Sequence, residues 1–86
     1  MEDKLIDLQA QQLVLDAIRE LGCDAAGILP EHRLCEDLGI DSSETVELAM
    51  ILRSRLGGRG SALSLKGAAT VLEITQRVQA LLGAMQ

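Results

Sequence analysis

The residues of this 86-residue chain whose setting first suggests a nucleophile, base or attachment point are Ser42 and Ser43, the single histidine His32, and the thiols Cys23 and Cys35. Ser42 ends the run Glu36-Asp37-Leu38-Gly39-Ile40-Asp41-Ser42. There a glycine turn delivers an aspartate and then a hydroxyl to the start of an amphipathic stretch. A serine nucleophile needs a positioned base. His32 lies ten residues upstream in a connecting segment, and no Gly-x-Ser-x-Gly elbow surrounds Ser42. Cys23 and Cys35 have no CxxC spacing, and a metal site needs more ligands than these two and His32 supply. They read as small apolar residues of a reducing cytoplasm, with no metal centre.

Two other roles for Asp41-Ser42 remain open on the residues alone. Asp and Ser are common helix-start residues, and this pair needs no further purpose. Alternatively, a serine at a helix N-terminus is a place for a phosphodiester, beside unpaired backbone N–H groups and the positive end of the helix dipole. Binding of DNA through a helix-turn-helix is disfavoured, because the recognition helix would open with Asp41, Glu44 and Glu47, all repelled by phosphate.

The elements that position Ser42 follow from periodicity. Leu5, Leu8, Leu13, Val14, Ala17, Ile18 and Leu21 recur at three- and four-residue steps, which predicts a helix over about Lys4–Leu21 with one buried stripe and Gly22 as its stop. A connection from Cys23 to Ile40 follows. It is too long to be left unpacked, so Ile28, Leu29, Leu34, Cys35 and Leu38 are expected to tie it down, with a helical turn over Glu31–Cys35. The second helix is expected over Ser42–Leu56, with Asp41 as N-cap, Glu44 completing a capping box, and Gly57-Gly58 ending it. Thr45, Leu48, Ala49, Leu52 and Leu56 form its core stripe. Val46 and Met50 fall on another face, among Glu44, Glu47 and Arg53, and read as a partly exposed apolar edge of the kind that binds partners. Ala62, Leu63 and Leu65 suggest a short third helix. Thr70-Val71-Leu72-Glu73 is a second capping box, opening a last helix that buries Val71, Ile74, Val78, Leu81 and Leu82. The fold class is therefore all-α, a single-domain bundle of three longer helices plus a short one.

Composition narrows the partners. There is no Phe, Tyr or Trp, so base-stacking platforms for single-stranded nucleic acid are absent. A net charge of -5 disfavours nucleic acid and anionic membranes and favours basic protein surfaces. The charge is also polarised. Glu31, Glu36, Asp37, Asp41, Glu44 and Glu47 face only Arg33 between positions 31 and 47, whereas positions 48–72 hold Arg53, Arg55, Arg59 and Lys66 and no carboxylate. The N-terminus lacks the basic start and apolar run of a signal peptide, and no stretch reaches transmembrane length. A cytoplasmic monomer is the expectation.

The run Glu36–Ser42, followed by Thr45-Val46-Glu47-Leu48-Ala49-Met50, closely resembles the acyl carrier proteins, whose motif is Asp-Leu-Gly-x-Asp-Ser-Leu and then a Thr-Val-Glu-Leu type helix. Ile28-Leu29-Pro30 is similar to their first loop, and Thr70-Val71 with Ile74 to the start of their last helix. The resemblance implies a four-helix carrier, not an enzyme, with 4'-phosphopantetheine esterified to Ser42 and acyl groups held on that arm as thioesters. It implies a phosphopantetheinyl transferase and acyl-loading and chain-processing enzymes as partners. By the same match, Asp41, Glu44, Val46, Glu47 and Met50 fall where the family meets its enzymes, on a surface suited to basic docking faces. Ser43 stands where the family usually has leucine, and Leu34 and Leu56 stand where aromatics are common. The other class of function is an unmodified helical adaptor that binds through Val46 and Met50.

Overall fold

A computed structural model describes residues 2–22 and 27–83, with side chains described from Leu8 onward except Arg59. Three α-helices, α1 (Glu2–Glu20), α2 (Ser42–Leu56) and α3 (Val71–Gly83), enclose one apolar core, and a 3-10 helix (Gly57–Ala62) follows α2 directly. No strand occurs among the described residues. None of the described helices is long and apolar enough to cross a membrane. α1 packs mainly on α3, and α2 packs on α1 and on the 3-10 helix.

In α1 the buried stripe is Ala10, Val14, Ala17 and Ile18, with Leu13 and Leu21 partly covered. Leu8, expected in that stripe, is instead 64% exposed. Six residues before Val14, at about 100° per residue, it is turned about 120° away from the core line, which passes through Ala10. The side chain of Leu5 and the whole of Cys23 lie outside the described residues.

The connection ahead of α2 is held by backbone pairing rather than by the helical turn expected over Glu31–Cys35. Arg33 forms an isolated antiparallel bridge with Thr70. Around it the Leu72, Val71 and Leu34 N–H groups donate to the carbonyls of Pro30 (2.8 Å), His32 (3.0 Å) and Ala69 (2.9 Å). The preference for paired backbone donors in a packed segment decides this, because extended segments lying side by side satisfy one another. Leu34 and Ile40 are buried and Ile28 and Leu38 partly so, but Leu29 is half exposed and Cys35 lies on the surface, contrary to expectation.

α2 spans the expected residues and buries Leu48, Leu52 and Leu56, with Thr45 and Ala49 at the margin. The short helix, expected around Ala62–Leu65, comes earlier. The glycines of Gly57-Gly58-Arg59-Gly60 let the chain tighten immediately after α2, and Gly60 is buried against the Arg53 backbone, where a Cβ would sit 2.6 Å from the Arg53 Cα. Leu63 and Leu65 then run in non-helical backbone, both buried. Two arginines clamp this stretch: Arg53 Nε and Nη2 donate to the Leu63 carbonyl (3.0 and 2.8 Å), and Arg77 Nη1 to those of Ser64 and Lys66 (2.9 and 2.6 Å). In α3, Val71, Ile74 and Val78 are buried, Leu81 and Leu82 partly, and Thr75 joins them by donating its hydroxyl to the Val71 carbonyl at 2.9 Å.

Candidate phosphopantetheine attachment site

The turn before α2 is built around Arg33. Its carbonyl accepts the N–H groups of Asp37 (3.0 Å) and Leu38 (3.2 Å), its own N–H donates to Asp37 Oδ2 (2.7 Å), and its guanidinium reaches Glu36 (2.7 Å) and Asp37 (3.4 Å). The Arg33 N–H, followed by the hydrogen bond and charge of its guanidinium, holds the Asp37 carboxyl below its ordinary value of 3.8. Gly39 then turns the chain with φ +71°, a conformation that a side chain would strain. Ile40 follows as a pin: it is 1% exposed and its N–H bonds the Leu34 carbonyl at 2.8 Å. Chain direction at Asp41 is thus fixed from both sides, by the turn and by the core.

Asp41 caps α2 as the sequence predicts. Its backbone is extended, its Oδ1 accepts the Glu44 N–H at 2.8 Å, and its own N–H donates to Glu44 Oε1 at 3.3 Å. Its carbonyl accepts both the N–H and the hydroxyl of Thr45, each at 2.9 Å. With Glu44 and Thr45 served, the N–H groups of Ser42 and Ser43 have no acceptor among the described residues. Neither do the two exposed hydroxyls have a partner there. A hydroxyl in solvent, two free amides and the positive end of a 15-residue helix fit a phosphodiester, since the group's negative oxygens would meet donors and no buried bond has to be broken.

Around this hydroxyl the charges are unbalanced. Arg33 is committed to Glu36 and Asp37, Arg53 to the Leu63 carbonyl, and Arg55 to Glu20 at 2.7 Å. Asp41, Glu44 and Glu47 therefore have no cation opposite them among the described residues. Val46 and Met50, each 61% exposed, stand beside them as the exposed apolar edge.

The structure does not assemble a hydrolytic site. His32 Nδ1 accepts the Leu29 N–H at 3.0 Å, so the imidazole closes its own turn and makes no bond to Ser42. Among the described residues no three His, Cys, Asp or Glu side chains converge as metal ligands. A cavity of about 120 Å³ opens between α1 and α3, lined by Leu15, Ile28, Val71 and Leu72 with glutamines at its edge. Sequence reasoning passed over Arg33 as the organiser of the turn. Its spacing of three and four residues from Glu36 and Asp37 was the available signal. The Glu20–Arg55 pair, 35 residues apart, had no local signal.

Comparison with known proteins agrees with this geometry. A family model described as "Phosphopantetheine attachment site" matches residues 11–78, a span that contains the whole turn, α2 and the start of α3. The chain is 34% identical over 76 residues to "Acyl carrier protein 2" of Ralstonia nicotianae (strain ATCC BAA-1114 / GMI1000), covering 83% of this chain and 94% of that protein. No solved structure matches significantly. Membership of such a family implies a non-catalytic carrier with a covalently attached 4'-phosphopantetheine. The match extends through the pinned turn, the capped helix and the last helix that closes the core, so the chain belongs to the acyl carrier protein family.

Proposed function

We propose that this protein is a stand-alone, single-domain acyl carrier, cytoplasmic and monomeric, that takes its 4'-phosphopantetheine on Ser42. It presents acyl groups to the enzymes of fatty acid, polyketide or nonribosomal peptide assembly, or of a specialised acylation. The observation that carries this reading is the Ser42 hydroxyl itself, exposed at the first residue of α2 beside two unbonded amides, within the family-matched span. When bound, the group supplies a flexible thiol-ended arm on which acyl groups are held as thioesters.

The protein's own residues do the rest. Ile40 and the Asp41–Glu44 capping box hold the hydroxyl outward in one direction. Asp41, Glu44 and Glu47 attract basic docking surfaces, with a reach of about 8 Å at physiological salt. Val46 and Met50 give the encounter apolar contact. Tethering raises the local concentration of cargo at whichever enzyme is docked. Ser43 in place of leucine leaves a hydroxyl on the outward side of α2's first turn, which suits an adapted partner set and, with the basic second half of the chain, a specialised pathway.

Incubation with a phosphopantetheinyl transferase and coenzyme A, read by intact mass, tests the reading. Wild type and Ser43→Ala should each gain one arm and Ser42→Ala none. An unmodified wild type would leave the adaptor reading, in which Val46 and Met50 bind partners and Ser42 is idle. Loss of labelling in Ser43→Ala alone would move the attachment to Ser43.

A further inference from the structure

The turn Leu29–His32 is closed by two hydrogen bonds that run in opposite directions. The His32 N–H donates to the Leu29 carbonyl at 3.0 Å, and the Leu29 N–H donates to His32 Nδ1, also at 3.0 Å. The same turn supplies two of the acceptors at the start of α3. Of the first four N–H groups of that helix, Val71 bonds the His32 carbonyl (3.0 Å) and Leu72 the Pro30 carbonyl (2.8 Å), while Glu73 and Ile74 bond the hydroxyl and carbonyl of Thr70 (3.2 and 3.3 Å). Ile28 and Pro30 also line the cavity of about 120 Å³ between α1 and α3, together with Val71 and Leu72 of α3 and Gln11 and Leu15 of α1.

An imidazole accepts at Nδ1 only while that nitrogen is bare, with the ring proton on Nε2. Histidine is also the side chain that ordinarily changes charge near neutral pH. Once the ring is charged both nitrogens are donors, and Nδ1–H then meets the Leu29 N–H donor to donor. Charged groups reach the ring from two elements. On its own segment Glu31 and Arg33 flank it, and Asp37 is close enough that the His32 charge, after the Arg33 N–H and guanidinium, helps to lower the Asp37 carboxyl. On α3 the nearest carboxylate is Glu73, which accepts the Ala69 N–H and the Thr70 hydroxyl. From α1 the cavity receives only Gln11 and Leu15, neither of them charged. A protonated His32 therefore loses its bond with Leu29 and gains attraction to Asp37.

We propose that the Leu29–His32 turn is a proton-sensitive latch: neutral His32 holds it shut, and protonation releases its two carbonyls from the start of α3 and loosens the wall of the α1–α3 cavity. The latch is a property of the fold and stands apart from the carrier reading, so the unmodified full-length protein serves for the test. Amide exchange is followed by NMR at about pH 7.5 and about pH 5.5, one unit either side of the ordinary histidine value. Relative to intrinsic exchange rates, protection of the Val71 and Leu72 amides should fall about fivefold at the lower pH, the loss expected for one neutral hydrogen bond. Protection of Leu52, within α2, should stay within about twofold on the same scale. His32→Asn, whose Oδ1 accepts at either pH, should hold the Val71 and Leu72 protection constant. In wild type the ring nitrogen shifts should report a bare Nδ1 at the higher pH, a measurement that needs no variant to fold. Unchanged protection in wild type would overturn the proposal, as would an equal fall in His32→Asn or a ring proton on Nδ1 at the higher pH.

Discussion

At the scale of single residues, the site depends on a few side chains whose bonds are local and whose roles are separable. Asp41 acts through its oxygens on Glu44 and Thr45, Ile40 through burial, and Arg33 through its contacts with Asp37. The last of these makes the turn sensitive to pH. Asp37 has a folded-state pKa below its unfolded value, so the ionised carboxylate stabilises the fold above the ordinary carboxylate range, and that contribution disappears as pH falls through the depressed folded value. Asp37→Asn copies the protonated state. Thermal melts should therefore show wild type above Asp37→Asn at neutral pH, with the gap closing once the pH falls below about 4. A gap that persisted unchanged into stronger acid would mean that charge on Asp37 plays no part. Ser42 and the capping pair were legible in the sequence, because a cap and its partner three residues on are contiguous chemistry. The role of Arg33 was written in the same kind of spacing and was overlooked because Glu36 and Asp37 were counted into the acidic patch around Ser42 rather than paired with it.

At the scale of elements, α2 followed its pattern to the residue, whereas the segment after it did not. Leu63 and Leu65 were read as helical because they are apolar and close together. In fact alternate residues Leu63 and Leu65 enter the core from non-helical backbone, and the tight 3-10 turn is made by the glycines before them. Gly60 is the element's critical position, since the 3-10 backbone lies directly on Arg53. Gly60→Ala forces a backbone clash rather than a side-chain shift, and such overpacking costs about 1–3 kcal/mol. For a domain of this size that lowers the melting temperature by roughly 4–8 °C per kcal/mol. Gly58→Ala, which meets nothing within 4 Å, serves as the control. Equal melting of the two alanine variants would refute the close approach. The bridge of Arg33 to Thr70 is another feature that pattern reading missed, because the pairing joins residues 37 apart through one backbone contact and leaves no periodicity in either segment.

At the scale of the whole molecule, the acidic face proposed for docking arises because the protein uses its own arginines elsewhere. Arg33, Arg53, Arg55 and Arg77 are all engaged in internal bonds, leaving carboxylates unmatched around Ser42. Reversing that face with Glu47→Lys, together with Glu44→Gln to keep an acceptor in the cap, should slow arm addition on the order of tenfold at low salt and flatten the salt dependence, with the helical circular dichroism unchanged. Rates equal to wild type at low salt would place docking on another face. By itself the sequence determined the three helices, the Asp41–Glu44 capping box, the Thr70 cap on the Glu73 N–H and the sign of the charge around Ser42, because caps, 3.6-residue periodicity and charge are properties of neighbours along the chain; the second box stays half-formed, since the Glu73 carboxylate takes the Ala69 N–H in place of that of Thr70. Only the tertiary structure decided that Leu8, Leu29 and Cys35 face solvent, that two arginines clamp the stretch before α3, and that the turn ending at His32 meets the start of α3. Those features depend on which backbone and side-chain groups meet across distant segments, and no local pattern encodes that meeting.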